Sequence, residues 1–172
     1  MIRVRSGGQT GVDRAALEIA AELGIAYDGW CPRGGWAEDA PDPPGIRARY
    51  PWLVETPSGD PRQRTAWNVR DSDATLILLT RDLSESPGTE FTHACAELVF
   101  QRPVYVARID DPEALLRTRT WLTGLFSGVS STTFDLNVAG PRESESPGIA
   151  RAASRFLRAI LTVGTRAGLQ KD

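Results

Sequence analysis

The chain has 172 residues, of which 41% are hydrophobic and 24% charged, with a net charge of −2. This is the balance of a globular protein large enough to bury a core without staples, and it leaves no basic face for unspecific nucleic-acid binding. No apolar run approaches the roughly 18 residues of a membrane span and the N-terminus lacks a signal-peptide core, so no membrane partner and a cytoplasmic placement are expected.

The elements alternate along the chain. "IRVRS" (2–6) predicts a short first strand, followed by "GGQTG" (7–11), three glycines within five positions. "GVDRAALEIAAELG" (11–24) predicts a helix with Val12, Ala15, Ala16, Ile19 and Leu23 on one face and Gly24 as its stop. "IAYDGW" (25–30) predicts the second strand. The Pro/Gly-rich stretch 31–52 predicts a long ordered loop, with Trp30 and Trp36 as candidate walls for a flat ring.

"DPRQRTAWNVRDSD" (60–73) predicts a helix with Asp60 as cap and Pro61 at its first position. Arg64, Asn68 and Asp71 share one face of it, either supporting the glycine loop or carrying salt links. "ATLILLT" (74–80) reads as a fully buried strand. A helix over 89–101, a strand over 103–109, a helix near 111–124, a strand over 132–140 and a closing helix over 147–168 complete the pattern. It predicts one α/β domain over residues 1–172, Rossmann-like and three-layered, with a mostly parallel central sheet.

Ligands of such sheets bind beyond the carboxyl ends of the strands, and three loops there are rich in donors. In "SGGQTG" the spacing suits Thr10 as helix cap with Asp13 as its third residue. The glycine backbone and free N–H groups make an anion site. A bulky β-branched residue at Gly8 is expected to abolish anion binding and leave the fold intact. The pattern is neither G-x-G-x-x-G nor a Walker A loop. In the second loop, "TRDLSESPGTEFTHA" (80–94), Gly88 and Thr89 offer backbone and hydroxyl donors. The third, "NVAGPRESESPGI" (137–149), offers Asn137, Gly140, Arg142 and Ser144, with Ser146-Pro147 read as the cap and first residue of the last helix.

Catalytic and metal equipment is sparse. His93 is the only histidine and falls within a helical pattern; with Cys31 and Cys95 it makes no zinc spacing, and both cysteines are expected to be reduced. No G-x-S-x-G elbow is present.

Taken in order, "SGGQTGVDRAAL", "GWCPRGGWAEDA", "RTAWNVRDSDATLIL", "GTEFT" and "NVAGPRESESPGI" resemble the molybdenum cofactor carrier family. That family belongs to the Rossmann-like LOG/SLOG group that includes the phosphoribohydrolases. The resemblance implies a carrier that holds the phosphate of molybdopterin, a homodimer or homotetramer, and molybdoenzymes as possible recipients. Position by position it implies Gly7, Gly8, Gln9, Thr10 and Gly11 on the phosphate side, Gly88 and Thr89 opposite, Asn137, Gly140, Pro141 and Arg142 from the last motif, and Arg33 from the second. That second motif departs from the family pattern at Gly35 and Ala40. The related phosphoribohydrolases have P-G-G-x-G-T-x-x-E, and Thr92 stands where their glutamate would be. A hydroxyl cannot replace a carboxylate as base or oxocarbenium stabiliser, so binding is expected rather than cleavage. A nucleotide-derived ligand sensor and a nucleoside monophosphate phosphoribohydrolase-like enzyme are the alternatives.

Overall fold

The computed structural model of the chain describes residues 1–126 and 133–166, with side chains through residue 162. Strands β1 (Ile2–Arg5), β2 (Tyr27–Cys31), β3 (Leu53–Glu55), β4 (Ala74–Leu79), β5 (Val104–Arg108) and β6 (Phe134–Ala139) form one sheet in the order β3-β2-β1-β6-β4-β5. Every neighbouring pair in it is parallel. The helices are α1 (Val12–Glu22), α2 (Pro61–Arg70), α3 (Pro87–Ala94), α4 (Ala114–Phe126) and α5 (Ile149–Arg166). The architecture is the expected three-layer Rossmann-like one, with the sheet wholly rather than mostly parallel.

Periodicity explains the layers. On α5, Ala153, Phe156, Leu157, Ile160 and Leu161 are buried at helical spacing, while Arg151, Arg155 and Arg158 lie between them. That stripe packs with α1 and α4 over one sheet face, around Val4, Leu76, Leu78, Leu136 and Val138. Strand β1 alternates as a half-apolar strand must. Val4 enters this core, while Arg3 and Arg5 carry ion pairs to Asp28 and Asp135 on β2 and β6. Strand β4 is buried at all six positions, as its continuous apolar run requires. Helices α2 and α3 lie on the second face, where Val69 of α2 packs with Cys95 and Ala96 just after α3.

Several boundaries differ from expectation. The loop over 31–52 folds onto Leu17 of α1 through Ala37, Ile46 and Tyr50, and then leads into β3, a strand too short for periodicity to reveal. Helix α3 starts at Pro87, with Ser86 in the cap position, and passes into a π-turn over Cys95–Val99. Helix α5 starts at Ile149, not at Pro147, because Gly148 at φ +88° cannot be helical. Its first turn is capped by the Glu143 carboxylate, which accepts from the amides of Gly148 and Ala150. The expected strand start at Thr132 and helix end at Gly168 lie outside the described residues. Both cysteines are buried free thiols, and burial pushes Cys31 up to about 11.

The chain leaves β1 toward β2 and leaves β4 toward β5, in opposite directions, and β6 fills the gap between them. The crevice of the sheet therefore opens beyond the carboxyl ends of β1, β6 and β4.

Candidate functional site

The glycine loop is built by close approach. A Cβ on Gly7 would lie 1.8 Å from Arg64 Nη1 and 2.9 Å from Asp13 Oδ2. The guanidinium of Arg64 thus lies across the bare backbone of Gly7. Gly8, at φ +73°, points the other way: its Cβ would fall 2.8 Å from Leu53 Cδ1 and 3.1 Å from Ile46 Cγ1. A β-branched residue there would disturb the packed 31–52 loop, so the expectation of an intact fold is corrected.

Thr10 does not cap α1. The cap position is Gly11, at φ +78°, whose Cβ would stand 2.2 Å from the Pro141 carbonyl oxygen. The Val12 amide donates to that same oxygen at 3.2 Å, so the chain must pass under the β6–α5 loop where no side chain fits. Thr10 instead donates its hydroxyl to Glu38 and accepts from the Glu143 amide at 3.3 Å. Glu38 also accepts from Ser144 Oγ at 2.7 Å, and the Gln9 side-chain oxygen accepts from the amides of Thr10 and Glu38. A carboxylate of the 31–52 loop therefore joins the first and third site loops.

Asp13 faces inward, 4% exposed, and its Oδ2 accepts from Arg64 Nη1 at 2.8 Å. Burial pushes its carboxyl above the usual range, and the facing Arg64 opposes that shift only in part. A raised folded value means the folded state binds more protons than the unfolded chain. The resulting stability is complete at low pH and is lost as pH rises through the folded value. The stability of the wild type relative to Asp13→Asn should therefore fall as pH is raised from 4.5 to 8 in urea titrations. A constant difference would show that Asp13 titrates no higher in the folded chain.

Helix α2 starts as its Asp-Pro signature requires: Asp60 accepts from the Arg62 amide at 2.9 Å. The face of Arg64, Asn68 and Asp71 both supports the glycine loop and carries salt links. Arg64 reaches the glycine loop. Asn68 holds the Trp30 backbone at 2.8 and 2.9 Å, and Asp71 accepts from Trp30 Nε1 at 2.7 Å. Trp30 is thereby fastened to α2, edge-on to Trp67, and is no wall for a ligand ring. Trp36 lies under the Arg142 guanidinium at 5.7 Å.

At the start of α3, Ser86 donates to Glu145 Oε2 at 2.8 Å, which leaves Thr89 as the donor in its 2.7 Å contact with Ser86. Glu145 also accepts from the Arg142 amide at 3.1 Å. The Thr92 hydroxyl donates to the Gly88 carbonyl at 2.9 Å, inside its own helix. Gly140 has no room for a side chain, since its Cβ would lie 2.5 Å from the Leu78 carbonyl oxygen.

These parts enclose a cleft of about 390 Å³, in the range of small-ligand sites. Gln9 and Asp13 line it from the first loop, Asp60, Arg62, Arg64 and Thr65 from α2, Ser86 to Thr89 with Phe91 and Thr92 from α3, and Gly140, Arg142 and Glu145 from the last loop. Three arginines face three carboxylates. Behind Asp13 lies a void of about 10 Å³, room for one water, lined by Gly7, Arg64, Thr65, Asn68, Thr92 and Asn137.

Of the residues singled out in the sequence, Gln9, Gly88, Thr89, Gly140 and Arg142 line the cleft, and Gly7 and Asn137 line the void. Gly8, Thr10, Gly11 and Pro141 shape the loops around it. Arg33 is exposed on a turn of the 31–52 loop, outside the cleft. Arg62, Ser86 and Glu145 were not singled out; the Ser86-Pro87 pair, a cap and first residue like Asp60-Pro61, was the available signal.

The model of the circularly permutated YpsA SLOG family matches residues 4–161. The chain belongs to that family. This YpsA SLOG chain is also similar to a solved structure, described as "Putative molybdenum carrier protein" from Syntrophus aciditrophicus SB. The two are 34% identical with a TM-score of 0.80, over 92% of this chain and 94% of that one. No curated protein matches. Among the described residues no group of three His, Cys, Asp or Glu side chains could hold a metal ion, and no helix is long and apolar enough to cross a membrane.

Proposed function

We propose that this SLOG chain is a carrier that binds a phosphorylated ligand, the molybdenum cofactor, in the cleft beyond β1, β6 and β4, and yields it to molybdoenzymes. One observation carries the reading: residues from the first turns of α1, α2 and α3 line a single cleft together with Arg62, Arg64 and Arg142. A helix start carries positive partial charge. Three such starts and three guanidinium groups suit a phosphate. Arg62 and Arg142 each lie over an aromatic ring, Phe91 at 4.9 Å and Trp36 at 5.7 Å, which holds them at the rim. With no cluster among the described residues to ligate it, molybdenum would enter as part of the ligand.

Isothermal titration with a phosphorylated pterin tests this. Arg142→Ala should weaken binding by about 1.5–3 kcal/mol, the range for a hydrogen bond to a charged group. Arg142→Lys should recover only part of that, because an ammonium cannot make the two-pronged contact. Equal affinities of all three forms would remove Arg142 from the site.

The carboxylates of Asp13 and Glu145 favour a second reading, a phosphoribohydrolase-like enzyme. Thr92 carries no carboxylate, but the cleft does not lack one. Release of adenine from AMP at about 1 per second or faster, lost in Glu145→Gln, would establish it in place of the carrier.

A further inference from the structure

The pair at the floor of the cleft is only half used. Arg64 gives one hydrogen bond among the described residues, from Nη1 to Asp13, and it is the sole side-chain partner of that carboxylate. The side chains of Asp13 and Arg64 are 5% and 13% exposed. The rest of the Arg64 fork has no acceptor among the described residues, and Arg64 borders both the cleft and the void. An anion entering the cleft would meet this free edge and share the guanidinium with Asp13.

The surroundings decide what the carboxylate then does. From its own helix Asp13 is faced by Arg14, which is already paired with Asp39 at 2.9 Å. The first loop offers the Gln9 amide, and α2 offers Arg64. Across the void stand only neutral groups: Thr65 and Asn68 of α2, Thr92 of α3 and Asn137 of β6. The remaining charges of the cleft, Asp60, Arg62, Arg142 and Glu145, cancel in sum. A second negative charge beside a buried carboxylate with one shared cation disfavours ionisation of that carboxylate.

Resting on the anion-cleft reading above, we propose that the site takes up its anion together with one proton, which passes from solvent to the Asp13 carboxylate as the anion shares Arg64. Binding is thereby strengthened by acid and weakened by base through the protein itself, and a carrier of this design releases its load as pH rises.

Sulfate is the probe, because it stays a dianion across the neutral range whereas phosphate titrates there. Titration calorimetry of the wild type at one pH, in buffers of different ionisation enthalpy, should give an uptake approaching one proton per sulfate. Affinity should fall up to about tenfold per pH unit, the limit for one linked proton. In Asp13→Asn the uptake should vanish and sulfate affinity should become independent of pH. An infrared band of a protonated carboxylic acid, appearing when sulfate is added to the wild type, reports the same event without a variant. Sulfate binding with no proton uptake, or undiminished uptake in Asp13→Asn, overturns the inference alone. Failure of the wild type to bind sulfate overturns the anion-cleft reading and the inference with it.

Discussion

Arg64→Ala should destabilise the protein by about 3–5 kcal/mol near neutral pH, the cost of leaving one member of a buried ion pair without its partner. The side chain lost is the one that crosses Gly7 and holds Asp13, so the glycine loop loses its cross-brace as well as its charge balance. The double variant Asp13→Asn/Arg64→Ala should recover more than half of that loss, since a neutral amide needs no counter-charge. Urea unfolding of the wild type, both single variants and the double variant closes the cycle. Additive losses would show that the two side chains stabilise the fold independently. Sulfate should protect Arg64→Ala from thermal unfolding far less than it protects the wild type.

Gly11→Ala should be comparably severe, about 3 kcal/mol or more, although it adds one methyl group. The position combines a left-handed backbone, at φ +78°, with a carbonyl oxygen 2.2 Å from where the methyl would sit. Strain of the first kind alone is worth about 1–3 kcal/mol. The contact can be relieved only by moving the β6–α5 loop away from α1, which breaks the Val12–Pro141 hydrogen bond and displaces Arg142 and Glu145. Unfolding free energy and sulfate affinity should therefore fall together. At Gly59, where a Cβ meets nothing within 4 Å and no positive φ is required, alanine should change neither. A stable Gly11→Ala variant with intact sulfate binding would show that the two loops do not depend on this contact.

Local chemistry made most of the fold legible. The β4 run, the α5 stripe and the Asp60-Pro61 start of α2 each follow from neighbours in sequence, and each stands within a few residues of where it was expected. Strand β3 was not legible because three residues carry no period, and its pairing with β2 depends on the 31–52 loop folding onto Leu17. The site divides in the same way. That the loops after β1, β4 and β6 would converge follows from the alternating pattern and the rule for open sheets. The roles within them do not, because they depend on partners distant in sequence. Thr10 reads locally as a cap but is taken by Glu38, and Asp13 reads as a dipole-favouring acid but is paired with Arg64. The glycines read as a phosphate cradle, yet Gly7 makes room for Arg64, Gly8 for Leu53 and Ile46, and Gly11 for Pro141.

The place of β6 between β1 and β4 has a consequence for how the protein is made. Ile2 pairs with Phe134 and Ala74 with Leu136, so the centre of the sheet is closed by a strand that arrives late in synthesis. Until then a nascent chain holds β1 and β4 with facing open edges, and such edges invite pairing with other chains. Contacts this distant in sequence also make closure slow. Chains interrupted before residue 134 should accumulate as aggregates rather than as a half-active fragment. The cleft, which draws its last wall from the residues after β6, exists only once the whole sheet does.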